Sequence, residues 1–453
     1  MYTDPDLIPF EPPERPLGLR GLPTTFRNYI ETIPRSAYEQ GVTDLGRTRR
    51  DIILVAEPDL IGEVLVGKAD VFRRDPVTRR AFAPAIGANS IFLAEDADWR
   101  WQRRAVAPIF RHETLLSFVP IFAAMAQRQV ERWRASDRTQ QVDAAAAMTR
   151  TTFDIIVNVL LGGTADLDAE SYSRALTQSF NTIPWQIIYV LFSLPEWLPY
   201  PGRRRAYRAR DFLRRDLSRI VAGRRAVPSE HPDLLDSLIS ARDPETGRSM
   251  TDEEVVNNLL TFIIAGHETT AVALSWTLWL LAKDQASQRR AFEEIAAVAG
   301  DAPISASHVE QLSFCRQAIQ EAMRLYPPAP GIGREAKIAF ELGGRPIEAG
   351  TRIHIPVFAL HRNVRLWDRP NAFEPERFTA EAVKARSRYA YLPFGGGPRI
   401  CIGAGFAMLE AAAILATLVR AFRFAAVAGH KPKPVARVTL RPAGGMPLLV
   451  TAR

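Results

Sequence analysis

The chain has 453 residues, 47% of them hydrophobic and 24% charged, so it can bury a large core and does not have a disordered protein's composition. Its net charge of +8 stems mainly from arginine and lacks an aromatic–basic repeat or zinc-finger spacing, which favours an acidic partner or anionic surface over nucleic acid. The two cysteines cannot form a disulfide framework and predict a reducing, cytoplasmic location.

The N-terminal part alternates between extended and helical patterns. Residues 1–18 are acidic and rich in proline, which predicts neither a signal peptide nor an anchor helix. Residues 51–55 (DIILV) predict a strand and residues 58–67 a short helix. Residues 79–98, punctuated by glycine and proline, predict a loop.

From Trp99 to about Tyr326 the sequence predicts almost continuous helix, with breaks near residues 161–168 and 194–202. Within it, residues 258–282 are apolar enough to span a bilayer, which needs about 20 such residues.

The middle of that segment is GHETT, residues 266–270, which is costly to expose to lipid. We therefore expect a helix buried inside the protein. Thr251 and Glu254, three residues apart, predict a capping box at its start.

A small β portion follows. A helix over residues 313–326 ends at two prolines, Gly343-Gly344 predicts a turn and residues 351–358 a strand. A final helix is predicted over residues 403–422, and a hairpin turning at residues 443–445. The elements indicate one mainly helical domain over residues 1–453.

The stretch FGGGPRICIG, residues 394–403, places Cys401 in a glycine-rich loop before a helix. An isolated cysteine is most often a buried small hydrophobic residue. A catalytic nucleophile would need a histidine base, and the seven histidines form no partner motif. A thiolate ligand to haem iron needs only one cysteine and open backbone beside it.

Phe394, Gly397, Arg399, Cys401 and Gly403 form the pattern F-x-x-G-x-R-x-C-x-G, which resembles the haem-binding loop of the cytochrome P-450 family. The resemblance implies a mainly α fold with a small β portion that encloses a buried haem b, with Cys401 as the iron ligand. It also implies a monooxygenase that inserts one atom of dioxygen into a hydrophobic small molecule by hydroxylation or epoxidation.

The same resemblance assigns further cofactor contacts. The segment ADWRWQRRAVAPIF is similar to the family's W-x-x-x-R helix, which would place Trp99 and Arg103 near a haem propionate. Arg334 and Arg399 match its other propionate-binding positions, and an arginine suits a carboxylate because its planar fork donates two hydrogen bonds. Gly395 would lie against the cofactor.

Glu321 and Arg324, three residues apart on one helix, would alone read as a surface pair. Beside the cysteine loop, they resemble the family's E-x-x-R pair. The resemblance implies a buried ion network with Arg377 that maintains the fold and retains haem.

Residues 265–270 (AGHETT) match the family's oxygen-activation segment. The resemblance implies that Ala265 and Gly266 leave room over the haem, and that Glu268 and Thr269 form the catalytic acid–alcohol pair that guides protons to dioxygen. From residue types alone, Thr269 could instead bend the helix and Glu268 could be a partnered core acid.

The substrate pocket implied by the resemblance is apolar and aromatic, although any of its residues could be ordinary core. Its candidate residues are Phe82, Ile86, Phe92, Ile263, Ala265, Pro330, Ile332 and Met446.

No flavin or iron–sulfur segment is recognised, so electrons from NAD(P)H are expected to arrive through a ferredoxin or flavodoxin with its reductase. Arg100, Arg104 and Arg111 could dock such an acidic carrier or form a solvated face. The arginine-rich run 201–225 is interpreted as a solvated helix.

We expect a monomer without an integral membrane anchor. There are two alternatives. One is a haem-thiolate isomerase or dehydratase that does not use dioxygen, and the other is a haem-based sensor.

Overall fold

The computed structural model describes residues 11–15, 21–47, 51–134, 139–162, 168–180, 182–195, 197–227, 229 and 233–453. Helices dominate the described chain, and the strands form small sheets at its periphery, as predicted.

The helices follow the chain with these bounds: α1 Leu22–Arg27, α2 Ser36–Glu39, α3 Pro58–Gly62, α4 Pro76–Ile86, α5 Asp96–Val106, α6 His112–Ser117, α7 Val119–Arg134, α8 Ala144–Leu161, α9 Ala169–Phe180, α10 Ile183–Leu191, α11 Arg203–Ala226, α12 Leu234–Ser240, α13 Asp252–Lys283, α14 Gln285–Ala299, α15 Ala306–Gln311, α16 Ser313–Leu325, α17 Val357–Leu360, α18 Ala380–Ala385 and α19 Ala404–Ala421.

The strands are β1 Val42–Arg47, β2 Asp51–Val55, β3 Phe72–Arg74, β4 Gln140–Asp143, β5 Ile332–Ala336, β6 Phe340–Leu342, β7 Arg345–Ile347, β8 Arg352–Ile355, β9 Phe422–Ala426, β10 Pro434–Ala436, β11 Leu440–Pro442 and β12 Pro447–Ala452. They form one sheet in the order β1-β2-β8-β5-β3, a second in the order β4-β12-β9, and two hairpins, β6-β7 and β10-β11.

Helix α13 crosses the centre of the fold and packs most extensively on α8. The capping box exists as predicted, since the Thr251 hydroxyl accepts from the Glu254 N–H and the Glu254 carboxylate accepts from the Thr251 N–H. By length and composition α8, α13 and α19 could each cross a membrane. Most of each one's apolar stretch is buried inside the protein, and 83% of that in α13, so α13 is the buried helix that the sequence predicted.

The predicted loop over residues 79–98 is wrong in its first half, because α4 extends to Ile86. Asp75 caps this helix by accepting from the N–H groups of Val77 and Thr78, and Pro76 stands at its first position. Pro84 lies inside the helix and misled the sequence prediction.

The predicted C-terminal hairpin at residues 443–445 is also wrong. Strand β12 is the central strand of its sheet, with β4 on one edge and β9 on the other, so neither edge remains for β11. Strand β11 pairs with β10 instead.

Candidate functional site

Close packing of backbones shapes the cysteine loop. The Cys401 N–H donates to the Phe394 carbonyl at 3.0 Å and closes the loop. Gly397 has a φ of +68°, and a Cβ atom there would lie 2.0 Å from the carbonyl oxygen of Leu65. The loop therefore lies directly on the helical turn Glu63–Gly67, and only glycine fits at residue 397.

Gly397→Ala is expected to destabilise the protein by about 2–4 kcal/mol, because the left-handed backbone penalises a side chain and the Leu65 carbonyl must also move. Chemical denaturation would measure the change. Gly444→Ala is the matched control, since Gly444 has a φ of +76° with nothing within 4 Å of an added Cβ atom. Equal losses in the two variants would contradict a specific packing role for Gly397.

Cys401 has exposed surface, yet protein atoms surround its thiol closely. This enclosure raises the pKa of its thiol, while the Gly403 N–H and the Arg103 charge oppose the rise. A thiol enclosed by protein atoms, with a raised pKa, becomes a thiolate only when a cation holds it in that form, as a coordinating metal does. Cys401 therefore suits a metal ligand better than a free nucleophile.

Three arginines converge near this loop without enough negative charge around them. Arg74 on β3 lies directly opposite Arg334 on β5, a like-charged cross-strand pair that is unfavourable by itself. Burial, and then the charges of Arg334 and Arg399, lower the pKa of Arg74 to about 9. Burial and Arg399 lower that of Arg334 to about 10. The Nε atom of Arg74 has no hydrogen-bond partner among the described residues.

The anion expected at this cluster is a pair of carboxylates, which the propionates of haem would supply. Two acidic side chains are already present. Glu95 forms an ion pair with Arg399 and accepts from the Arg74 backbone N–H at 2.9 Å, and the charge of Asp75 acts on Arg74 and Arg334. Trp99 lies 4.4 Å beneath the Arg399 guanidinium. The residues fit haem, since the three guanidinium charges exceed the charges of Glu95 and Asp75 together and the Arg74 Nε atom has no partner among the described residues.

Sequence reasoning named Trp99, Arg103, Arg334 and Arg399 but missed Arg74 and Glu95. Neither residue lies in a recognisable motif, and the need for Arg74 emerges only when β3 pairs with β5.

The structure brings Glu321, Arg324 and Arg377 together. Glu321 and Arg324 are completely buried and share two hydrogen bonds of 2.7 and 2.8 Å. Arg324 also donates to the carbonyls of His361, Pro370 and Ala372. Arg377 lies 3.5 Å from Glu321, and its stronger partner is Glu374 at 2.5 Å.

His361, which sequence reasoning did not single out, joins this network to the cysteine loop. Its Nε2 atom accepts from the Leu392 N–H at 2.8 Å, so its Nδ1–H can donate to the Arg324 carbonyl. Burial, and then the Arg324 charge, hold the pKa of His361 well below 6.5. A charged ring would break the bond to Leu392.

Stability is expected to fall as the pH drops below about 6.5, the pKa of histidine in an unfolded chain. Burial lowers the pKa of His354 to about 4 and that of His361 well below 6.5, so the unfolded chain binds protons that the folded chain excludes. Each such histidine contributes a slope of about 1.4 kcal/mol per pH unit. Urea unfolding from pH 7 to 5 checks this. His354→Gln should remove the part of this slope that one proton contributes.

The exposure pattern of α13 identifies its open face. Ala265 is exposed and Thr269 is half-buried, although most of the surrounding helix is fully buried. The Thr269 hydroxyl donates to the Ala265 carbonyl at 2.5 Å. The interpretation of Gly266 needs correction: a Cβ atom there would lie 3.0 Å from Ile156 of α8, so this glycine permits close helix packing rather than space over a cofactor.

Glu268 is directed away from Thr269. Its carboxylate accepts hydrogen bonds from the Thr439 hydroxyl and from Arg441, which also forms an ion pair with it. A cavity of about 110 Å³ adjoins this ion pair between α8, α9 and α13. The predicted acid–alcohol pair is therefore adjacent in sequence but has no direct hydrogen bond in this structure.

The predicted substrate residues separate into two groups. Phe82 and Phe92 are partly buried with ring centroids 5.2 Å apart, and Phe92 lies under the Arg74 guanidinium. Ile332 is half-buried on the same face of β5 as Arg334, near Gly395. These side chains border the cofactor residues and remain candidates.

Four other pocket predictions are wrong. Ile86 and Ile263 belong to the closed core, with 1% and 0% of their surface exposed. Pro330 is buried, and Ala329 beside it is exposed. Met446 is completely buried, and its backbone bonds Asp143 and Ala144 at the start of α8 because β12 joins β4 there.

The surface arginines also differ from one another. Arg104 forms a bidentate ion pair with Asp243, with hydrogen bonds of 2.8 and 2.9 Å. Arg100 and Arg111 are exposed.

Comparison with known proteins gives consistent matches. The family model for cytochrome P-450 matches residues 39–448. The chain is 30% identical to the taurochenodeoxycholic 6 alpha-hydroxylase of Sus scrofa, covering 88% of this chain and 82% of that protein. It is 30% identical to the cyclooctat-9-en-7-ol 5-monooxygenase of Streptomyces melanosporofaciens, covering 83% and 81%. Among solved structures, the haem domain of cytochrome P450DA superposes with a TM-score of 0.81 at 26% identity, covering 91% of this chain and 90% of that one.

Proposed function

Because the chain belongs to the cytochrome P-450 family of haem-thiolate monooxygenases, we propose that it hydroxylates or epoxidises a hydrophobic small molecule with one atom of dioxygen. The observation that carries this proposal is the open face of α13, where Ala265 and Thr269 are accessible within an otherwise buried helix. An accessible small side chain and hydroxyl in the centre of a core helix suit a reaction site rather than a packing contact.

Different residues of the chain would hold the cofactor and handle protons. Cys401 would hold the iron, and Arg74, Arg334, Arg399 and Arg103 would hold the propionates. Haem bound through a cysteine thiolate supplies the activation of dioxygen.

Thr269 would hold a proton at its hydroxyl, which already donates to the Ala265 carbonyl and can still accept from water. Glu268 would relay protons to this face after its carboxylate turns away from Thr439 and Arg441, which it contacts in this structure.

The substrate is proposed to be apolar because Phe82, Phe92 and Ile332 border the cofactor residues. The named relatives hydroxylate taurochenodeoxycholic acid and oxidise cyclooctat-9-en-7-ol, and another is a cytokinin hydroxylase. Their diversity supports the reaction class and leaves the substrate of this chain open.

We further propose that the chain is a cytoplasmic monomer. Electrons from NAD(P)H would arrive through a ferredoxin or flavodoxin, with Arg100 and Arg111 as docking residues. Arg104 is not included, because Asp243 occupies it.

A substrate screen with a ferredoxin and its reductase tests the proposal by measuring dioxygen, NAD(P)H and product together. Thr269→Ala is expected to keep consuming NAD(P)H while forming product about 100-fold more slowly, because proton delivery is impaired. Thr277→Ala is the matched control, since its buried hydroxyl makes the same bond to a carbonyl four residues back. Conversion of substrate without dioxygen consumption would instead indicate an isomerase or dehydratase.

A further inference from the structure

Helix α11 concentrates the positive charge of the protein. It contains ten arginines and two aspartates, a formal charge of +8 that equals the net charge of the whole chain. Its first turn holds three arginines and no acidic residue, which opposes the helix dipole. Such an arrangement is unfavourable in isolation and becomes favourable beside an anionic partner.

Six of these arginines are engaged within the fold. Arg203 donates to Tyr207 and to backbone carbonyls, and Arg214 donates to Asn257. The others pair with carboxylates: Arg210 with Asp211, Arg219 with Asp216, Arg224 with Asp233 and Asp236, and Arg225 with Asp252. Both aspartates of α11 are thereby neutralised.

The remaining arginines, Arg204, Arg205, Arg208 and Arg215, are exposed and have no ionic or hydrogen-bond partner in the described part of the chain. Arg204, Arg208, Phe212 and Arg215 follow one another at spacings of four, four and three residues. They therefore lie along one face of the helix, over about 17 Å. We call Arg204, Arg208, Phe212 and Arg215 the arginine stripe.

Exposed aromatic side chains adjoin the start of the arginine stripe. Trp197 is 73% exposed and Phe192 is 48% exposed in the connection between α10 and α11. Arg203 donates to the carbonyls of Trp197 and Leu198, which ties this connection to the first turn of α11. Phe212 adds a further exposed ring within the stripe.

We propose that the arginine stripe and Trp197 bind the surface of an anionic lipid membrane. Arginines face phosphate headgroups, and an amphipathic indole ring prefers the headgroup level. An acidic protein or a nucleic acid would satisfy the arginines, but neither accounts for the isolated, highly exposed Trp197 at the end of the stripe. The proposed contact is peripheral: in the described part of the chain, the three single helices long enough to cross a membrane have most of their apolar stretch buried in the protein.

Sedimentation with lipid vesicles tests this proposal on the full-length protein. We expect binding to vesicles that contain phosphatidylglycerol, weak binding to phosphatidylcholine alone, and release by high salt. The variant R204Q/R208Q/R215Q should partition about 100-fold less, since each arginine near an anionic surface contributes roughly a fivefold factor.

The control R128Q/R289Q/R388Q removes the same charge from exposed arginines on other elements and should bind like the wild type. Lipids with brominated chains should quench tryptophan emission in the wild type and less so in Trp197→Phe.

Three results would overturn the proposal. They are equal binding to neutral and anionic vesicles, no binding to either, and wild-type binding by the R204Q/R208Q/R215Q variant. If that variant instead bound vesicles normally but lost affinity for an acidic electron carrier, the arginine stripe would be a protein-docking surface. Unfolding midpoints equal to that of the wild type would show that these exposed substitutions leave the fold intact.

Discussion

Replacing Cys401 with alanine is expected to abolish the strongly red-shifted absorption band of the reduced, carbon monoxide-bound protein and, with it, all oxygenase activity. Alanine removes the sulfur that the loop from Phe394 holds in place and that iron would bind. Haem content is expected to fall as well, although Arg74, Arg334 and Arg399 would still attract the propionates.

Cys315→Ala is the control for this experiment. Cys315 is the other cysteine of the chain, and it is completely buried on α16. Its replacement should leave the spectrum unchanged, although stability falls by the loss of a small buried side chain. A red-shifted band that persists in Cys401→Ala would refute the ligand assignment and every role derived from it.

Glu321→Ala is expected to reduce the free energy of unfolding by about 3–5 kcal/mol, enough to leave much of the protein unfolded. The substitution removes the carboxylate that pairs with Arg324, and that guanidinium is completely buried and cannot reach water. The Glu374 N–H also loses its acceptor. Denaturant unfolding and the yield of haem-bound protein would both report the loss.

Glu310→Ala provides the comparison, because Glu310 is hydrogen-bonded to His112 at the surface, where 46% of its side chain is exposed. A pair in water contributes about 0–1 kcal/mol. Similar effects of the two substitutions would mean that the Glu321 network is as weak as a surface pair.

Local chemistry made the cysteine loop and the start of α13 predictable. Gly397 has to be glycine because it meets a backbone carbonyl, and the capping box at Thr251 needs only residues three positions apart. Both features can therefore be recognised from a few neighbouring residues in the sequence. The family resemblance also holds, since the family and the mainly helical fold are confirmed.

The residues that the sequence missed depend on contacts between distant segments. Arg74 becomes a cofactor candidate only because β3 pairs with β5 and sets it opposite Arg334. Met446 is core because β12 pairs with β4, which the local turn residues do not reveal. The burial of Glu321 and Arg324 is predicted by the family resemblance and not by their spacing, which is that of a surface pair.

The central place of β12 constrains when the protein can finish folding. Strand β4, from the first third of the chain, and β9 have no sheet to join until residues 447–452 have left the ribosome. During synthesis the helices can form and pack, but the start of α8 lacks the bond from the Ala144 N–H to the Met446 carbonyl. Exposed strand edges on β4 and β9 are the surfaces that a nascent chain would have to keep from aggregating in that interval.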